Sequence, residues 1–283
     1  MNLLQNVIVA SAVLLLGSFA PASSRHLGVR PQSAPISAAA GAGRQEATTG
    51  AAAHMQPLRP GFEFPHNRTF YYDAEWRYFT AGIATLRMER NGTQEHVLGT
   101  ADATGAVRLL YHVADRFNSY FDAKTLCSTK LIKHTEEGSR RRDTVITFDY
   151  SRGKAVLEEH NLKDNESKRV ENDIPGCVTD VVSGMMYVAS LPLQPGATYA
   201  VPLNDGGKTV TVQAHVEGKE EIKTPAGTFQ TLRVGPEGDY GVLKNRGRIQ
   251  IWYTDDAQHL PIQIRSKLFW GTLTVYLTRI DKG

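Results

Sequence analysis

Three aspartates are the side chains of this sequence whose types and positions could support acid–base chemistry. Asp255 and Asp256 are adjacent, and Asp180 precedes an apolar segment. Carboxylates that converge with a histidine could serve as general acid and base in a hydrolase, and a carboxylate pair could also bind calcium. The alternative places Asp255 and Asp256 in a turn before Leu260-Pro261 and makes Asp180 the cap of a helix. The turn and the cap are the favoured interpretations, so no residue is assigned a catalytic role.

Other motifs for catalysis or cofactor binding are incomplete. Ser183-Gly184 lacks the upstream glycine of a serine-hydrolase elbow, because Val181 occupies that place. The segment Gly207-Lys208-Thr209 resembles the end of a P-loop, but its strand–turn–strand context offers no helix N-terminus to a phosphate. The nine histidines form no H-x-H or H-E-x-x-H pair. The sequence therefore predicts no cofactor and no metal site.

Cys127 and Cys177 are the only two cysteines of the chain. They are too few for a four-cysteine zinc site, and they lack the C-x-x-C spacing of redox-active thiols. Because an oxidising compartment favours pairing, we predict a disulfide between them, with two buried thiols as the alternative. Closing a loop of about 50 residues stabilises a fold by roughly 4 kcal/mol through loop-closure entropy.

Large apolar side chains on the predicted strands and helix could line a ligand pocket. Aromatic surface with a few polar points suits lipid-like or aromatic ligands, whereas the alternative is ordinary core packing. The candidate pocket residues are Trp76, Met185, Met186, Tyr187, Trp252 and Trp270.

The beginning of the chain predicts export. Residues 7–20 form an apolar run that is shorter than the about 20 residues of a membrane-spanning helix, and Ala20-Pro21-Ala22 fits a cleavage site. We therefore predict a signal peptide over residues 1–22, with an uncleaved anchor as the alternative, although residues 1–6 carry no Lys or Arg. This prediction places the mature protein in the periplasm or outside the cell, with no transmembrane span after cleavage.

Residues 23–60 are predicted to be a disordered linker. They are rich in Ala, Gly, Pro and Ser and contain no aromatic residue, so they cannot bury enough apolar surface to offset the entropy of ordering. Their arginines outnumber their acids and account for the formal net charge of +3, which leaves residues 61–283 neutral. A neutral domain gives no electrostatic reason to expect nucleic acid as a partner. The linker is interpreted as a spacer, with contact to an anionic surface as the alternative.

The rest of the chain, residues 61–283, alternates between apolar and polar side chains, which is typical of antiparallel strands with one buried face. Turn sequences such as Asn91-Gly92 separate the segments, and they predict about a dozen strands at the spacing found in barrels and sandwiches. The clearest alternating segments are residues 70–76, 84–89, 145–150, 209–216, 248–253 and 273–278.

Residues 178–190 break the alternation, because their apolar residues recur at helical spacing. A helix that is apolar around much of its circumference must be covered on most sides. We therefore predict an all-β fold. Its single antiparallel sheet is strongly curved into a barrel, half-barrel or β-roll, and the one apolar helix near 178–190 packs against it. A flat two-sheet sandwich is the alternative.

Several motifs together resemble one bacterial family. They are residues 72–76 with 81–84, 115–122, 178–193, 220–229, and 252–256 with Leu260-Pro261. On these residues the chain resembles the Domain of Unknown Function 3108 family over about residues 62–280. The resemblance implies an exported, β-rich protein of the bacterial envelope, and it supplies no catalytic residue that could be transferred to this chain.

Three functions remain open at this stage. The preferred one is a non-enzymatic envelope module that binds a hydrophobic small molecule or lipid between sheet and helix, by analogy with curved-sheet carriers. The second is a hydrolase or an envelope-glycan-modifying enzyme that uses Asp180, Asp255 and Asp256 with a histidine. The third is a structural module that pairs with a partner through an exposed edge strand. The sequence leaves the oligomeric state open.

Overall fold

A computed structural model describes residues 55–76, 78–238, 248–268 and 271–282. The predicted signal peptide, most of the predicted linker and Trp270 lie outside these residues. Within them, the strands form one 14-stranded antiparallel sheet. The strands are β1 (Arg68–Trp76), β2 (Phe79–Asn91), β3 (Gln94–Ala103), β4 (Ala114–Asp122), β5 (Ser128–Glu137), β6 (Arg140–Asp149), β7 (Lys154–Asn161), β8 (Glu166–Asp173), β9 (Thr198–Asn204), β10 (Thr209–Thr224), β11 (Gly227–Glu237), β12 (Arg248–Thr254), β13 (Pro261–Leu268) and β14 (Gly271–Lys282).

The sheet consists of two meanders joined at the chain ends. Its order is β8-β7-β6-β5-β4-β3-β2-β1-β14-β13-β12-β11-β10-β9, so β1 pairs with β14 in the middle and β8 and β9 are the edges. Each strand otherwise pairs with its neighbours in sequence, as short hairpin connections require. The all-β prediction is therefore confirmed, and the chain forms one sheet in the described residues where the sandwich alternative required two.

The two edges of the sheet approach each other, which shows how strongly the sheet is curved. The Asn204 side-chain amide on β9 donates to the Asn172 side-chain oxygen on β8 at 2.8 Å, and the Asn172 amide donates to the Gly206 carbonyl at 2.9 Å. No β8–β9 ladder is present among the described strands, so side chains join the edges and the sheet remains open. The predicted curved sheet is thus confirmed.

Two helices interrupt the strands: α1 (Gly105–Leu110) between β3 and β4, and α2 (Val181–Ala189) between β8 and β9. Helix α2 confirms the predicted apolar helix near 178–190, and seven of its nine residues are buried. Helix α1 was not predicted, and it buries none of its residues. Within the described residues, no helix is long and apolar enough to cross a membrane.

The core lies on the concave face of the sheet. The inward residues of β1–β4 and β9–β14 pack with α2 in one cluster, and a smaller cluster joins β5–β7 to Ile174 and Val178. The paired strands β3 and β4 are crowded at Gly99, where the Phe117 ring lies so near that an added Cβ would come within 1.8 Å of it. Because Gly99 has no side chain, it leaves room for the Phe117 ring against β3.

A disulfide joins Cys127 to Cys177, as predicted. Cys127 directly precedes β5 and Cys177 lies shortly before α2, so the bond ties the approach to the helix to the sheet. The end of the predicted linker adds a second tie, because Met55 and Leu58 pack against the core. The Gln56 amide donates to the Tyr187 hydroxyl at 2.6 Å, and the Arg59 amide donates to the Ser190 carbonyl at 3.0 Å. Packing against the domain is therefore observed from Met55, the first described residue, and it involves the last six residues of the predicted linker.

Candidate functional site

An apolar cavity lies between α2 and the concave face of the sheet. Helix α2 contributes one wall with residues such as Val181, Gly184 and Met185, and strands β9–β13 contribute the opposite wall. Leu86 of β2 and Phe117 of β4 complete it. The side chains that line it are apolar because they occupy the inward positions of alternating strands and the sheet-facing side of α2.

The cavity is partly open, and its wall extends towards one end of the sheet. Pro236, near the end of β11, and Ile249, near the start of β12, belong to its wall. Its volume is about 80 Å³. Pockets that enclose drug-sized ligands are usually at least about 300 Å³, so this conformation cannot enclose a whole lipid molecule.

The structure places the predicted pocket residues in different surroundings. Met185 lines the cavity, and Met186 is buried in the core behind it. Tyr187 is also buried, but its hydroxyl faces the segment at Gln56. Trp76 packs against the core near the end of β1 without lining the cavity.

Trp252 lies on the outer face of the sheet. The Arg265 guanidinium stacks over its ring at 4.9 Å, and its indole nitrogen donates to the Glu220 carboxylate at 2.7 Å. Its neighbours Ile251 and Tyr253 line the cavity instead. These two residues were missed as pocket candidates, although the alternation of β12 already puts them on the face opposite to Trp252.

Asp180 anchors the beginning of α2. One carboxylate oxygen accepts from the backbone amides of Val182 and Ser183 at 2.8 and 3.1 Å. The other oxygen accepts from the hydroxyls of Ser119 on β4 and Ser128 on β5, at 2.8 and 2.7 Å. The carboxylate is fully buried and saturated with donors, which makes it the helix cap that the sequence favours.

His259 anchors the other end of α2. Its Nδ1 lies 2.9 Å from the Ala189 carbonyl, one of the last carbonyls of the helix. Burial lowers the pKa of His259, and the nearby Arg59 lowers it further. Because a carbonyl oxygen can only accept, Nδ1 carries the proton and donates it to the helix end.

Asp255 and Asp256 form a turn between β12 and β13. Asp255 pairs with Lys219 at 2.5 Å on the surface. Asp256 accepts from the Thr254 hydroxyl at 2.8 Å and from the backbone amides of Gln258 and His259. This turn lies near the end of α2, whereas Asp180 lies at its start. The nine residues of α2 make the helix about 14 Å long. The three carboxylates therefore do not converge, and the favoured turn interpretation holds.

A group of buried ionisable side chains lies on the concave face beyond the apolar cavity, and the sequence did not point to it. Lys133 on β5 is buried opposite Phe117, and burial lowers its pKa while Asp205 and Glu159 oppose that effect. Asp115 on β4 is fully buried; burial and the nearby Glu137 raise its pKa to about 7. Its Oδ1 accepts from the Glu136 amide at 2.9 Å. The sequence signal that could have revealed this group is a lysine and an aspartate at inward positions of strands whose other inward residues are largely apolar.

No group of three or more His, Cys, Asp or Glu side chains with metal-binding geometry occurs in the described part of the chain. The candidate site is thus an apolar cavity under a helix that is anchored at both ends, and buried ionisable groups lie beyond the cavity.

These features define a curved, β-barrel-like protein. The chain belongs to the family described as a protein of unknown function (DUF3108), whose match covers residues 71–278. A search of curated proteins found no match to the chain.

One solved structure supports the fold. The chain is similar to a β-barrel-like protein of domain of unknown function DUF1849 from Brucella abortus, with 9% identity and a TM-score of 0.56. That similarity covers 77% of this chain and 98% of the other. A protein from Bacteroides fragilis with a YmcC-like fold matches with 12% identity and a TM-score of 0.31, covering 78% of this chain and 99% of the other. At 9% identity the likeness to the Brucella abortus protein concerns the fold and no function.

Proposed function

We propose that this protein is an exported module of the cell envelope that binds a narrow apolar chain, such as a single acyl chain, between α2 and the sheet. The observation that carries the proposal is the cavity wall, in which α2 and seven strands present apolar side chains to one partly open space. An apolar space of this kind favours an apolar occupant over water. Export is supported by the Cys127–Cys177 disulfide, since disulfides persist in oxidising compartments, and by the predicted signal peptide.

The small volume of the cavity limits the ligand. A branched or polycyclic molecule would need several wall residues to move, whereas a linear chain needs only a narrow channel. Met185 is the wall residue best suited to make room, because its unbranched side chain is only partly buried and rotates easily. The ends of α2 stay fixed by Asp180 and His259. We therefore expect the cavity to widen through side-chain rotation while the helix stays in place.

The two other functions have weaker support. An enzyme built on Asp180, Asp255 and Asp256 would need these side chains in one site, and they occupy opposite ends of α2. Partner binding through an edge strand would use β8, which among the described strands pairs only with β7. β8 is rich in exposed charged residues, however, and charge on an edge strand is a common protection against pairing.

The test is titration of the mature protein with a fluorescent linear fatty acid. Val212 lines the cavity from β10, and a V212F variant would fill part of the space. The matched control is T211F, which adds the same ring to the exposed outer face of the same strand. We expect V212F to weaken binding at least about tenfold, which corresponds to about 1.4 kcal/mol, and T211F to leave it unchanged. Equal binding by both variants, or no binding by the wild type, would reject the cavity as the site.

A further inference from the structure

Large apolar side chains project into solvent at one end of the sheet. Tyr78 and Phe79 in the β1–β2 turn are 92% and 69% exposed, and Leu109 and Leu110 in α1 are 89% and 75% exposed. Ile83, a few residues further along β2, is also exposed. We call these five residues the apolar tip. Most of the other large apolar residues described are buried or half-buried, so the concentration of exposed ones here is unusual.

The two parts of the apolar tip are neighbours. Helix α1 follows β3, and β3 pairs with β2 in a register that sets Gly82 opposite Ala103. The Thr104 amide at the start of α1 donates to the Ala81 carbonyl at 3.0 Å. The β1–β2 turn and α1 therefore lie side by side at the same end of the sheet.

Helix α1 is not explained by the packing of the domain itself. A helix with apolar residues normally buries them against another element. None of the residues of α1 is buried, and both leucines of its last turn point away from the core. Its apolar surface is therefore available to contact another molecule or a membrane.

Arg108 is the charge beside the apolar tip that favours an anionic lipid surface. It lies exposed in the last turn of α1, between the apolar residues. Arg140 begins β6 opposite Glu137, in a hairpin that contacts the segment after α1 through the Val113–Glu137 bridge. Two acids near this end are engaged: Asp102 pairs with Arg116 at 2.9 Å, and Glu136 pairs with His112 at 3.0 Å. Glu75 lies opposite Thr80 near the β1–β2 turn, and Asp73 lies two residues further along β1.

We propose that the apolar tip inserts into the interface of an anionic lipid bilayer. Exposed Tyr, Phe and Leu side chains beside an arginine are the combination that binds such interfaces, because the apolar parts enter the acyl boundary and the guanidinium meets the headgroups. The tip lies at the end of the sheet towards which the cavity wall extends through Pro236 and Ile249. Docking would thus bring this part of the cavity wall towards the lipid. The docking proposal is based on the exposed side chains. Only the importance of bringing the cavity towards the lipid rests on the proposed function.

The experiment is co-sedimentation of the mature protein with vesicles of phosphatidylethanolamine and phosphatidylglycerol, compared with vesicles of phosphatidylcholine alone. The variants are Y78S/F79S and L109S/L110S. The control is L162S, which removes an exposed leucine from the β7–β8 turn, four strands away from α1. We expect the wild type and L162S to bind the phosphatidylglycerol vesicles, and each double variant to bind at least about fivefold less.

Three outcomes would overturn the proposal: wild-type protein that stays in the supernatant, double variants that bind like the wild type, or binding that disappears completely at high salt in the wild type. The last result would assign binding to the basic linker, since insertion of apolar side chains survives salt screening.

Sedimentation velocity is run in parallel. Self-association that both double variants abolish, without vesicle binding, would assign the tip to a second copy of this chain. Vesicle binding by V212F separates the two proposals, because docking predicts that this variant binds like the wild type.

Discussion

The two helices of this protein have opposite relations to the fold. Helix α2 buries seven of its nine residues, and Asp180 and His259 hold its two ends. Helix α1 buries none of its six residues and has no side-chain hydrogen bond at its cap. The contrast indicates that α2 belongs to the folding unit, whereas α1 presents apolar residues outward. Substitutions in α2 should therefore cost stability, and substitutions in α1 should leave stability unchanged while they alter binding.

The largest expected effect is the loss of the tie before α2. We expect the C127S/C177S variant to lose about 4 kcal/mol of unfolding free energy, because the loop between the cysteines is no longer closed in the unfolded chain. Urea denaturation measures the change. Reductant should lower the stability of the wild type to that of the variant and leave the variant unchanged. A variant as stable as the oxidised wild type would show that the disulfide does not contribute.

The next effect tests the cap of α2. We expect D180A to lose about 3 kcal/mol, since two backbone amides and two buried serine hydroxyls lose their acceptor. The matched control is D122A, in which the aspartate also accepts from two backbone amides, those of Lys124 and Thr125, but on an exposed turn. That control should lose only about 1 kcal/mol. Equal losses would contradict the view that burial makes the Asp180 site special.

The pH dependence of stability tests the ionisable groups beyond the cavity. The folded-state pKa of Asp115 is about 7, above its value in the unfolded chain. Between about pH 4 and pH 7 the folded state therefore binds the proton more tightly, so stability falls as pH rises through this range.

We expect D115N to remove part of this slope and to be more stable than the wild type at pH 8. Thermal unfolding across this pH range measures it. The control D164N changes an exposed acid in the β7–β8 turn that is not among the groups acting on Asp115, and it should leave the slope unchanged. An identical slope in D115N and the wild type would mean that Asp115 does not titrate in this window.

The smallest effect concerns α1. We expect L109S/L110S to change the unfolding free energy by no more than about 0.5 kcal/mol, as is usual for exposed positions. Urea denaturation of the same preparation used for vesicle binding checks this. A loss of several kcal/mol would show that α1 packs against the domain and would end the contrast between the helices.

The sequence was sufficient to predict the elements whose signal is local. Alternation at residues 84–89 matches the inward and outward faces of β2, and the helical spacing from Val178 to Ala189 matches α2. The disulfide was also predictable, because only one pairing is available. Helix α1 was missed because six residues are too short for a periodic pattern. The packing of this segment was missed because its partners lie far away in sequence: Met55 contacts Cys177, and Gln56 contacts Tyr187 on α2.

The cavity shows a different limit. Its wall combines α2 with strands from both meanders of the sheet. That combination depends on the curvature and register of the sheet, which local sequence patterns do not encode. The size of a side chain was a poor guide: Trp252 is large, but it lies on the outer face under Arg265. Its neighbours Ile251 and Tyr253 line the cavity. Alternation along β12 was the better signal, because it assigns a face to each residue.

The most direct test of the central claim is native mass spectrometry of the mature protein, purified without detergent from its own compartment and followed by organic extraction. We predict an added mass that extraction releases as a linear apolar molecule, and that V212F lacks while T211F retains it. A protein that is reproducibly free of added mass, and that acquires none when incubated with fatty acids, would contradict the claim that the cavity under α2 is a binding site.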